Sequence, residues 1–149
     1  MLAAGGKAKD VIFSGVGKSA AEIQQALDAN IYCFNVESET ELLRINTIAK
    51  QHNKRAPVAL RINPNINANT HPYISTGLKE NKFGIALDNA LALFKQAHTL
   101  SHINLMGIGC HIGSQITELE PFLQVLDCLL NLINTLQQQN ILLQHLDIG

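Results

Sequence analysis

His111 and Ser114 stand three residues apart in His111-Ile112-Gly113-Ser114-Gln115, directly after Leu105-Met106-Gly107-Ile108-Gly109-Cys110. A neutral imidazole can stack on an aromatic ring or move a proton, and a serine hydroxyl close to a helix start can donate to a phosphate. Gly107, Gly109 and Gly113 leave little side-chain bulk around the pair, so another group can approach the backbone. Taken alone, the segment is explained more simply by a hydrogen-bonded core histidine beside a turn serine.

Four further polar clusters have the same form, each at the end of an apolar run: Ser14-Gly15-Val16-Gly17-Lys18, Asn35-Val36-Glu37-Ser38, Arg61-Ile62-Asn63-Pro64 and Asp147-Ile148-Gly149. Gly15-Val16-Gly17-Lys18-Ser19 lacks the Gly-x-x-x-x-Gly-Lys-Ser/Thr spacing that surrounds phosphates with amides, so nucleotide binding is not expected there. Among the other histidines only His71 lies where function is expected; His52, His98, His102 and His145 read as surface residues of helical or connecting stretches. His71 belongs to a long connection, 63–84, whose Tyr73, Ile74, Leu78 and Phe83 give it side chains to dock with. A connection of that length reads as a lid or interface loop.

The elements that position these clusters follow from the apolar pattern. Runs at 11–13, 31–36, 58–62, 103–108 and 142–148 are strand length and lack alternation, as in parallel strands covered on both faces. Between them, Ser19 with Glu22, Ser38 with Glu41 and Thr117 with Glu120 have capping-box spacing, and Asp88 is a simple N-cap. Phe122, Leu126, Leu129, Ile133 and Leu136 form one apolar face of the last helix, read as core packing. The repeated strand–helix order predicts a parallel α/β sheet with right-handed crossovers, either doubly wound and open or a partial (β/α)8 TIM-type barrel of about five βα units. In both, ligands bind at the carboxyl ends of the strands, where the polar clusters lie.

Bulk properties bound the function. The chain has 149 residues, 46% of them hydrophobic, enough for a core, with no internal linker. Eleven Lys+Arg against 12 Asp+Glu leave a net charge of −1, so no field draws in nucleic acid or an anionic membrane. Cys33, Cys110 and Cys128 form no CxxC pair, against a disulfide framework or a zinc site. With neither a signal peptide nor a membrane span in the pattern, the chain reads as soluble and cytoplasmic.

Four segments in order carry a resemblance: Phe34-Asn35-Val36-Glu37-Ser38; the loop from His71-Pro72-Tyr73 to Lys82-Phe83-Gly84; Cys110-His111-Ile112-Gly113-Ser114-Gln115; and Leu146-Asp147-Ile148-Gly149. From about Val11 to Gly149 the chain resembles the diaminopimelate decarboxylases, enzymes of the alanine-racemase-like barrel type that use pyridoxal 5'-phosphate (PLP). Arginine and ornithine decarboxylases share the histidine–serine spacing and the Asp-Ile-Gly ending, but the run from Thr76 to Gly84 points to the diaminopimelate branch. The resemblance implies that His111 stacks on the pyridine ring, Ser114 hydrogen-bonds the phosphate, Gly149 opens a glycine-rich phosphate loop, and Arg61 reaches toward the cofactor. Arg61 as a salt-bridged barrel arginine is the alternative. His71, Lys79 and Lys82 would lie in an active-site loop near the other subunit of a homodimer, with solvated loop lysines as the alternative.

The same resemblance implies a lysine that holds PLP as a Schiff base on a strand upstream of 11–13, and a C-terminal β domain after Asp147-Ile148-Gly149. Residues 1–149 are therefore expected to form an incomplete PLP-binding barrel domain lacking both. Lys7, Lys9 and Lys18 do not match the Schiff-base lysine. The expected function is that of a fragment of a lyase of lysine biosynthesis, converting the amino acid meso-diaminopimelate to lysine and carbon dioxide, inactive alone and prone to associate through exposed strand edges. The alternatives are a non-catalytic binding or assembly module, a fragment of an arginine- or ornithine-type decarboxylase, and an unrelated phosphate-binding α/β protein.

Overall fold

The structure, a computed structural model, describes residues 1–66 and 83–149. His71, Lys79, Lys82 and the docking residues Tyr73, Ile74 and Leu78 lie outside the described residues.

Helix starts follow local chemistry, with exceptions. Ser19 caps α1 (Ala20–Ala29) in a complete capping box, accepting the Glu22 amide at 3.3 Å while its own N–H donates to Glu22 Oε2 at 2.8 Å. Ser38 caps α2 (Glu39–Gln51) and accepts from the Glu41 amide at 3.2 Å. Glu41 does not return to it, because its carboxylate is used inside the protein. Two expected caps are not formed. Helix α3 (Leu87–Thr99) begins before Asp88, which sits in the first turn, where a carboxylate suits the helix dipole. Helix α4 (Glu120–Gln137) is preceded by Leu119 rather than Thr117, and Pro121 sets its first turn with a fixed φ and no N–H to satisfy. On α4, Leu129 and Leu136 are buried as expected. Pro121 and Val125 complete the buried line, leaving Phe122, Leu126 and Ile133 half-buried on its flank.

Strands β1 (Ile12–Phe13), β2 (Cys33–Val36), β3 (Ala56–Asn63), β5 (Ile103–Gly109) and β6 (His145–Asp147) pair in the order β1-β2-β3-β5-β6, every neighbour parallel. A two-residue strand, β4 (Ile85–Ala86), pairs parallel with the end of β3. It is too short to leave a periodic signal. The strands follow one another in chain order without the reversal of a doubly wound sheet. Asn35 Nδ2 on β2 lies 3.1 Å from Asp147 Oδ2 on β6, although β3 and β5 stand between them. Three strand spacings in a flat sheet would separate these backbones by about 14 Å. The sheet is therefore curled, as part of a barrel.

The apolar core lies between this sheet and the helices. Phe34, Val36, Val58, Leu60, Ile62 and Ile108 pack in one buried cluster with Ile23, Leu42, Ile45, Phe94 and Leu129. The register puts Asn35, Ala59, Gly107 and His145 in one row across the sheet and Arg61, Gly109 and Asp147 in the next. These rows form the inner face. A bulge between Val58↔Leu105 and Ala59↔Gly107 makes Met106 the extra residue of β5, so Gly107 and Gly109 take the inward places. His145 is not a surface residue: half-buried, it meets Tyr32 edge-on at 5.3 Å between ring centroids. His102 is also half-buried, its Nδ1 3.0 Å from the Lys54 carbonyl oxygen.

Gly107 is small for the sake of the neighbouring strand. A Cβ there would collide with the His145 carbonyl oxygen and stand 2.7 Å from the His145 Cβ. Gly107→Ala is expected to destabilise the fold by about 2 kcal/mol, the size of an overpacked core position. At Gly17 a Cβ meets nothing within 4 Å, so Gly17→Ala should stay within about 0.5 kcal/mol. Urea midpoints of the two variants check the contrast.

Candidate functional site

The carboxyl ends of β2, β3, β5 and β6, with the loop after β1, bring five of the sequence clusters to one mouth of the curled sheet. Asn35 donates through Nδ2 to Ser14 Oγ and to Asp147 Oδ2, both at 3.1 Å. Asp147 Oδ1 accepts the Gly149 amide at 3.0 Å, and its carbonyl oxygen accepts the Cys110 amide at 2.9 Å. Asp147 thus holds the start of the 147–149 turn and the entrance to His111 together. The half-buried His111 faces Gly149, where φ is +99° and a Cβ would stand 3.0 Å from His111 Nδ1. A non-glycine residue would be strained by that φ and would crowd the imidazole. Ser114 is exposed, with α4 beginning at Glu120.

Beside this group lies a buried set of charges. Arg61 Nη1 donates to Glu37 Oε2 at 2.9 Å, with side-chain exposures of 15% and 2%. Glu37 Oε1 accepts the Gly15 amide at 3.2 Å. Lys18 Nζ donates to Glu41 Oε1 and the Gly15 carbonyl, each at 2.6 Å, and to the Asn35 carbonyl at 2.8 Å. Glu41 Oε2 accepts the Glu37 amide at 2.8 Å. Arg61 also lies over the Phe83 ring, 5.8 Å from its centroid. Every charge here has an opposite partner, as burial demands.

Sequence reasoning placed Arg61, His111 and Gly149 at this mouth, and the structure brings them there on neighbouring strands. Asn35, Glu37, Lys18 and Asp147 carried no expected role at the site, and Glu41 only that of a helix-cap partner to Ser38. A signal existed: Asn35 lies between Phe34 and Val36 in a strand buried on both faces, where an unpartnered amide would be expensive. Among the described residues no group of three or more His, Cys, Asp and Glu could hold a metal, and no helix is long and apolar enough to cross a membrane.

A parallel sheet curled in chain order, with polar side chains gathered at the strand carboxyl ends, defines a βα-barrel domain with a strand-end site. The chain belongs to the family described as pyridoxal-dependent decarboxylase, pyridoxal binding domain, which it matches over residues 1–149. It is similar to the diaminopimelate decarboxylase of Haemophilus influenzae, 55% identical over 149 residues, 100% of this chain and 36% of the relative. The crystal structure of diaminopimelate decarboxylase from Helicobacter pylori complexed with L-lysine superposes with a TM-score of 0.96 at 47% identity, covering 99% of this chain and 38% of that one. An alanine racemase from Clostridium difficile, 16% identical with a TM-score of 0.63 over 89% of this chain and 32% of that one, shares the fold. The chain spans about a third of the length of the curated relatives it matches.

The residues present suit pyridoxal phosphate, the cofactor of this family. An imidazole, a guanidinium and a hydroxyl are the donor set for an aromatic ring bearing a phosphate, and the glycine at 149 sets no side chain of its own against His111 Nδ1.

Two thiols lie close to the same carboxylate. Burial, with the Asp147 charge second, pushes Cys33 up to about 11 and Cys110 up to about 12, from an ordinary 9.0. The folded chain holds both protonated where unfolded thiols ionise, so stability is expected to fall as pH rises from about 9 toward 11–12. At about pH 8 a disulfide reagent should modify the half-buried Cys128 first, and Cys33 and Cys110 only on unfolding. Thiol counting with and without denaturant checks this, and rapid native labelling of all three would contradict it.

Proposed function

We propose that this chain builds part of the pyridoxal phosphate site of a cytoplasmic decarboxylase that converts meso-diaminopimelate to lysine and carbon dioxide. The observation that carries this reading is the convergence of Arg61, His111 and the Asp147–Gly149 turn at one mouth of the barrel sheet. About 50% identity to diaminopimelate decarboxylases along the whole chain supports the choice of substrate over arginine or ornithine.

The cofactor, when bound, supplies an electron sink for the carbon left when carbon dioxide departs. With the cofactor bound, the His111 imidazole would pack against the ring and keep water from it, and the exposed Ser114 hydroxyl would donate to the phosphate. Gly149 contributes conformation, since its own N–H is taken by Asp147 Oδ1. Arg61, anchored by Glu37, would orient the cofactor from the β3 side.

Lys18 cannot serve as the covalent anchor, since its ammonium spends all three N–H donors on Glu41, Gly15 and Asn35. Lys7 and Lys9 are exposed beside a short 3-10 turn. The chain alone is expected not to turn over substrate. The parent enzyme would be a homodimer. Exposed Ile12 and Leu146 on the outermost strands, with Leu119, Leu123 and Leu130 on and before α4, favour a second reading in which the chain acts as an assembly module.

Titration with PLP and with unphosphorylated pyridoxal tests the site. The chain should bind PLP more tightly, Ser114→Ala should lose that preference by about tenfold, and His111→Ala should weaken both ligands. Equal affinity of the unaltered chain for the two compounds would sink the phosphate assignment. Release of carbon dioxide from meso-diaminopimelate by the chain alone would overturn the expected inactivity.

A further inference from the structure

Resting on that reading of Arg61, we propose that Lys18 and Glu41 are positioning residues that fix the Arg61 guanidinium at the mouth by locking Glu37 from behind. Glu41 has two jobs at once. Oε1 takes the Lys18 ammonium at 2.6 Å, and Oε2 takes the Glu37 backbone N–H at 2.8 Å. Lys18 in turn ties the end of β2, through the Asn35 carbonyl, to the β1–α1 loop, through the Gly15 carbonyl. Gly15 then returns its N–H to Glu37 Oε1 at 3.2 Å. Glu37 is held by its backbone on one side and its carboxylate on the other, and the remaining oxygen meets Arg61 Nη1 at 2.9 Å. Two acids and two bases cancel, so the network sets a direction for the guanidinium without adding net charge at the mouth.

A purely structural role explains this arrangement poorly. A buried ion pair is often matched or exceeded in stability by apolar side chains of similar size, whereas removal of one partner leaves an uncompensated charge. Lys18 and Glu41 side chains are 1% and 9% exposed, so the desolvation is nearly complete. What an apolar pair cannot reproduce is the acceptor for the Glu37 amide and the tie between the β1–α1 loop and β2.

The test is the double variant Lys18→Met with Glu41→Met, compared with the unaltered chain. The first readout is nitrogen-15 NMR of arginine side chains, with Arg61→Lys assigning the Arg61 signal. A held guanidinium gives resolved, slowly exchanging Nη protons. The unaltered chain should show them, and the double variant should lose them while circular dichroism keeps the native spectrum. The second readout is PLP affinity, expected to weaken by about tenfold, the size of one charge-assisted hydrogen bond. Should the double variant not fold, Glu41→Gln serves instead, because it replaces one of the two carboxylate oxygens by an NH2 donor, so that either Lys18 or the Glu37 amide faces a donor in place of its acceptor. Persistence of the Arg61 signal in a folded variant, its absence from the unaltered chain, or unchanged PLP affinity overturns the proposal. If the unaltered chain does not bind PLP but its Arg61 signal depends on Lys18 and Glu41, the cofactor reading falls and the positioning network stands.

Discussion

One hydrogen bond, from Asn35 on β2 to Asp147 on β6, depends on the curvature of the entire sheet. It joins residues 112 apart in sequence across two intervening strands, a reach possible only when the sheet bends round on itself. The inner face must then be narrow, and the narrowness explains its composition. Ala59, Gly107 and Gly109 stand where β3, β5 and β6 approach one another, and at Gly107 the neighbouring backbone leaves no room for even a methyl group. Large side chains are displaced to the outer face, where Phe34, Leu60 and Ile62 pack under the helices.

Curvature also decides the electrostatics. Polar groups that would be solvated on an open sheet are drawn into a space with little water and must find partners in one another. Asp147 shares its carboxylate between Asn35 and the Gly149 amide, and its charge helps keep the neighbouring Cys33 and Cys110 thiols protonated. Lys18, Glu41, Glu37 and Arg61 pair off in the same way. The outcome is a mouth whose groups are held by bonds behind them, the preorganisation that a ligand site requires.

Membership in the pyridoxal-dependent decarboxylases fits this construction. Each strand end brings a different group to the mouth: a guanidinium from β3, an imidazole after β5, a turn after β6. The outermost strands and the flank of α4 carry exposed apolar residues, Ile12, Leu146, Leu123 and Leu130 among them. Burying such surfaces is the ordinary condition of a barrel whose strands all have neighbours.

Residue type and period alone were enough to read the parallel strand–helix rhythm, the Ser19 cap, the clustering of polar groups at strand ends and the placing of His111, Arg61 and Gly149 there. These depend on near neighbours in the chain, which a linear reading can see. Periodicity could not choose between an open sheet and a barrel, because that depends on strand order and curl; the family resemblance pointed to a barrel, and the tertiary structure shows the curl. The same holds for the bulge at Met106, which sets the facing of β5: a one-residue change of register exchanges inner for outer side chains, and nothing in Leu105-Met106-Gly107 marks where it falls. Glu41 makes the point most plainly. Its spacing from Ser38 promised a helix cap, yet its carboxylate serves a lysine 23 residues away, since a buried ammonium needs an anion more than a solvated helix end does.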